Sequence, residues 1–166
     1  MPKTPAKKKT ATKKTAKPVP KKATSSSKTG KDRPIKYEDK SGGQPELLPV
    51  FHELKKLLDN YEKYPLVVRG DLNGQYSLWC DKPVEVAGKM KDVFFAGLLV
   101  QKGYVGFYFM PVYANPALKN KLHPNLVKCL KGKSCFHIKK NEPELMLHVK
   151  NALKTGYDDF RQKGWV

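Results

Sequence analysis

The sequence predicts an α+β fold, helices packed on one face of an antiparallel sheet in two layers, behind a disordered N-terminal tail. Three observations carry this. Two apolar runs, Val93–Gln101 and Tyr104–Val112, are separated only by Lys102-Gly103, the spacing of a tight β-hairpin. Stretches with helical periodicity bracket the strand-rich middle of the chain. The first thirty residues contain no aromatic side chain, leucine or isoleucine from which to build a core.

Residues 1 to about 31 are almost entirely Lys, Ala, Thr, Pro, Ser and Val, with eleven lysines and no acid. Nothing in them offsets the entropy of ordering the backbone. Prolines 2, 5, 18 and 20 break any helix the alanines favour. The net charge of +18 therefore belongs to two objects, because residues 46–166 hold nineteen basic and twelve acidic side chains. Lys7, Lys8, Lys9, Lys13, Lys14, Lys17, Lys21 and Lys22 form clusters suited to displacing counterions from a polyanion such as DNA. Phosphate contacts of this kind carry no sequence information. A solvated tail resting on any acidic surface is the alternative. Residues 32–45 mix both charges and end in Gly-Gly-Gln-Pro, a linker. The expected partition is tail and linker over 1–45 and a folded domain over 46–166.

Pro49–Tyr61 is an amphipathic helix, with Val50, Phe51, Leu54, Leu57, Leu58 and Tyr61 in one stripe about 120° wide. Short strands follow at Leu66–Arg69 and Gln75–Trp79, around the turn signal Asn73-Gly74, and at Val84–Val86, ended by Gly88. The two-residue loop of the main hairpin pairs Gln101 with Tyr104, Val100 with Val105, Leu98 with Phe107 and Ala96 with Phe109. Strict alternation then puts Phe94, Ala96, Leu98, Val100, Val105, Phe107 and Phe109 on a face that must be covered. Phe95, Gly97, Leu99, Gln101, Tyr104, Gly106, Tyr108 and Met110 fall on a wetter one. Helical turns at Pro116–Asn120 and Leu126–Leu130 lead to a last strand, Ser134–Lys139. Asn141 with Glu144 makes a capping box for a helix that ends at Gly156, and Tyr157–Lys163 forms a terminal helix stopped at Gly164.

Val93–Tyr113, with its FMPVY run, resembles the YdhG-like domain family, as do Leu130–Lys140, with GKSCF, and the closing GYDDFRQKGWV. The likeness covers Leu47 to Val166. It implies a frataxin-like fold and, for some members, an iron-chaperone role. The tail is similar in composition to those of linker histones and some nucleoid proteins.

Against that background the chemistry reads as binding without catalysis, with no resident cofactor. Iron would need a ridge of carboxylates. Glu53, Asp158 and Asp159 are the acids to test for it, but lysines interleave with those of the first helix and the domain is net basic. Cys135 and His137 share a strand face near Cys129, which strand alternation explains as well as zinc does. Gly132-Lys133-Ser134 lacks the spacing of a phosphate loop. Phe95, Tyr104, Tyr108 and Met110 could form a shallow platform for bases, a small ligand or a protein, or be ordinary sheet surface under another element. Three cysteines with no apolar leader point to reduced thiols in the cytoplasm, with nucleoid association following from the tail. No apolar run approaches the ~20 residues of a membrane span.

Overall fold

The computed structural model describes residues 1–2 and 36–166, and the compact unit runs from Lys36 to Val166. The expected tail therefore lies almost wholly outside the described residues. The body is α+β, with one six-stranded antiparallel sheet in the order β1-β2-β3-β4-β6-β5. The strands are β1 (Leu66–Val68), β2 (Gln75–Val86), β3 (Lys89–Gln101), β4 (Tyr104–Phe109), β5 (Leu130–Lys131) and β6 (Cys135–Ile138). The helices are α1 (Leu48–Asp59), α2 (Met110–Ala114), α3 (Pro124–Lys128) and α4 (Pro143–Gln162). Among the described residues no helix is long and apolar enough to cross a membrane.

The hairpin register is the one the loop dictates, from Gln101 opposite Tyr104 to Ala96 opposite Phe109. Gly103 alone takes the left-handed conformation in that turn, at φ 82°. On β3 the alternation fails at one place. Leu78 pairs with Ala96 but Trp79 pairs with Phe94, so Phe95 is an extra residue, a β-bulge. The bulge turns Phe95 to the helix side, where it is fully buried against Phe109, Phe160, Tyr157 and Tyr61. Phe94 goes to the other face and packs on Trp79, ring centroids 5.1 Å apart. The expected sides of these two phenylalanines are thus exchanged.

Helices α1 and α4 cover the face carrying Tyr76, Leu78, Cys80, Phe95, Leu98, Val105, Phe107, Phe109, Phe136 and Ile138, all buried. From α1 come Val50, Phe51, Leu54 and Leu58; from α4 come Met146, Val149, Ala152, Leu153 and Phe160.

Several boundaries differ from expectation. Gln75–Trp79 and Val84–Val86 are parts of one bent strand, with Pro83 at its irregularity, where ladder pairing is already interrupted. Strand β4 stops at Phe109; Met110 opens α2 with Pro111 behind it, since proline fits a first helical turn better than a ladder. Helix α4 has Glu142 at its N-cap and Pro143 in its first turn, in place of the Asn141–Glu144 box. It runs through Gly156 without a break, and a Cβ there would stand 2.3 Å from Phe109 and 2.7 Å from Pro111. That glycine serves close packing, not termination.

The second face is partly strapped by residues 36–44. The Glu38 N–H donates to Gln75 Oε1 (3.0 Å), the Lys40 N–H to the Asn73 carbonyl (2.6 Å), and the Gly103 N–H to Gln44 Oε1 (2.7 Å). Tyr37 lies against Gly70 and within 3.3 Å of the Ser77 hydroxyl.

Candidate functional site

Beyond the strap, the open face carries a chain of polar contacts across β3, β4 and β6. The Tyr104 hydroxyl donates to Gln101 Oε1 and Gln101 Nε2 donates to the Tyr108 oxygen, each at 2.6 Å. Tyr104 also stacks on His137, with ring centroids 3.7 Å apart and planes 10° from parallel. Gly106 lies opposite His137 in the ladder, and the Tyr108 ring fills the space a side chain there would need. Of the four residues expected to form the platform, the fold brings Tyr104 and Tyr108 together. Phe95 is on the helix side because of the bulge, and Met110 has left the sheet for α2.

The electrostatics of this face favour neutral groups. Burial pushes the Tyr108 phenol up, helped by the neighbouring Cys135, and burial raises the Cys135 thiol. His137 is held below its ordinary value first by burial, then by the positive charges of Lys131 and Lys139. Its uncharged ring is therefore favoured over the imidazolium beside these two cations. Among the described residues no three His, Cys, Asp or Glu side chains converge as a metal-ligating group. The acids singled out for iron are each paired with a cation three or four residues away: Glu53 with Lys56 (2.6 Å), Asp158 with Lys154 (3.0 Å), and Asp159 with Lys163 (2.6 Å). His137 and Cys129 meet through the backbone, the His137 N–H donating to the Cys129 carbonyl at 2.8 Å.

The lysines expected to contact nucleic acid (Lys7, Lys8, Lys9, Lys13, Lys14, Lys17, Lys21 and Lys22) all lie outside the described residues. The cations that the fold does place are different ones, and the sequence reading passed over them.

They were concealed by the net charge of the domain. From Val93 to Asn141 there is no acidic residue, while lysines 102, 119, 121, 128, 131, 133, 139 and 140 all fall there. All eight are exposed, and none has a carboxylate within 4 Å among the described residues. Elsewhere in residues 46–166 the charge is nearly balanced, eleven basic against twelve acidic. Six of those eleven cations (Lys55, Lys56, Arg69, Lys154, Arg161 and Lys163) hold a carboxylate. Counting charge along the body in windows would have found this.

The fold gathers four of the unpaired lysines. Lys128, Lys131, Lys139 and Lys140 line a groove of about 450 Å³ at the β5–β6 edge, with Cys129, His137, Leu145 and a single acid, Glu142. Because His137 lines the groove and stacks on Tyr104, the basic edge is continuous with the aromatic open face. A second hollow on the other side of the β5–β6 turn is lined by Lys119, Lys133 and Tyr113, with Lys133 Nζ 5.6 Å from the Tyr113 ring.

Compared with known protein families, with curated proteins and with solved structures, the chain has no significant match.

Proposed function

We propose that this chain is a non-enzymatic nucleic-acid-binding protein, a YdhG-like body of frataxin-like fold behind a polycationic tail, holding phosphates without reading sequence. The observation that carries the reading is the separation of charge. Eleven lysines stand without an acid in residues 1–31, and eight more lie on the acid-free span of the body. The eight exposed lysines of the body, with no carboxylate partner among the described residues, gain nothing for the fold, whereas each phosphate they neutralise releases a condensed counterion. The motifs behind the family likeness support a structural role. Phe109 and Pro111 make the close contact with Gly156, and Gly132–Phe136 forms the turn into β6. Three free cysteines, one fully buried, fit a reducing cytoplasm, and the tail fits residence at the nucleoid.

A salt titration tests it. With six to ten tail lysines engaged on duplex DNA, affinity should fall by ~10³–10⁵ between 50 and 200 mM salt. A chain beginning at Lys36 should bind more weakly and with a shallower slope. Equal affinity with and without the tail would refute the role assigned to it.

A further inference from the structure

The open face and the basic edge together suggest more than general attraction to anions. We infer, building on the polyanion reading above, that the β5–β6 edge is a binding site for single-stranded nucleic acid. Its groove lysines hold phosphates, and the His137 ring, backed by Tyr104, provides a stacking surface for a base.

The first support is chemical pairing of the two features. Lysines 128, 131, 139 and 140 surround a groove containing one carboxylate, Glu142. In its wall stands an imidazole already in a parallel stack, 3.7 Å from Tyr104. A track of cations beside aromatic faces is the arrangement by which proteins hold unpaired strands, since every base has a π-face and every link a phosphate. The second is charge. Burial, then Lys131 and Lys139, lower the His137 pKa, which disfavours a further cation at the ring that faces the groove. The third is placement. Strand β5 is a two-residue edge strand that ends the sheet, and α1 and α4 pack on the opposite face from Tyr104, so neither helix covers the stack. A duplex keeps its base faces stacked internally, so a site that uses His137 for stacking prefers a single strand.

The test separates this site from the tail by using the full chain with all eleven lysines of residues 1–31 replaced by Gln. Its binding to fluorescein-labelled oligothymidylate is followed by anisotropy over a salt series. Saturable binding is expected, with a log–log slope of about −3 for four lysines at about −0.7 each on a single strand. Adding K131Q and K139Q should lower affinity and flatten the slope by about half. His137→Ala should weaken binding about tenfold with the slope unchanged, because stacking releases no counterion. His137→Phe, which keeps an aromatic ring, should recover most of that loss and guards against a general folding defect.

If the tail-neutralised chain fails to bind while the unaltered chain binds, the groove is not a site and the polycation reading stands. If neither binds any nucleic acid, both fall. A duplex bound as tightly as the single strand, or polyglutamate displacing oligothymidylate equally well, would overturn the stacking site, because neither offers accessible bases.

Discussion

The two faces of the sheet are closed in different ways. On one, Phe95, Phe107, Phe109 and Phe136 are fully buried beneath α1 and α4. On the other, Gln101 joins two tyrosines, a strap of residues 36–44 covers the β2 side, and the β6 side opens onto unpaired lysines. The first face provides the cohesion of the fold through apolar burial. The second contributes less to stability and is correspondingly free to meet a partner. Charge follows the same division: carboxylates answer most cations on α1, α4 and the β1–β2 region, and among the described residues none answers those around β5 and β6.

The largest effect should separate two adjacent phenylalanines. Phe95→Ala should cost about 3–5 kcal/mol in chemical denaturation. Phe94→Ala, which loses the Trp79 contact and the cover over Gly97 on the open face, should cost less than about 2 kcal/mol. Equal losses would remove the bulge from the account. Next, Gly156→Ala should destabilise by about 1–3 kcal/mol despite alanine's better helix propensity, because its Cβ meets Phe109 and Pro111.

On the open face the effects shrink. Gln101→Ala breaks the Tyr104–Gln101–Tyr108 chain and should cost about 1 kcal/mol in the same assay. Arg69→Gln, which loses Asp92 at 2.9 Å and Asp81 at 3.3 Å, should cost up to about 1 kcal/mol. K131Q with K139Q should leave stability within about 0.5 kcal/mol, since neither lysine has an ion partner to lose among the described residues.

The smallest effect is on protonation. Because folding lowers the His137 pKa, the unfolded chain takes up this proton first, and stability falls as pH drops below about 6.5. Removing Lys131 and Lys139 should move the His137 titration, followed by NMR, back toward that ordinary value. A change in the opposite direction would contradict the assigned cause.

Much of this was legible in the chain. The register of β3 with β4 follows from the two-residue loop, and the burial of α1 follows from its apolar stripe. The side of Phe95 was hidden because a bulge depends on the neighbouring strand, which period-two alternation does not include. Gly156 carries the mark of a helix stop, and only the position of Phe109 shows that it is a packing residue. Tyr104 and Tyr108 fall on one face by alternation, but the stack with His137 requires knowing that β6 pairs with β4. The acid-free span of the body disappears when charge is averaged over residues 46–166, where twelve acids offset most of nineteen cations.

The most direct test is an NMR titration of the full chain with oligothymidylate, reading backbone amide shifts. The largest changes within the folded body are predicted at Tyr104, Lys131, His137 and Lys139, with α1 and α4 beyond its first turn undisturbed. Changes confined to residues 1–35, or clustered on α1 and α4, would contradict the division between a face that holds the fold together and a face that binds.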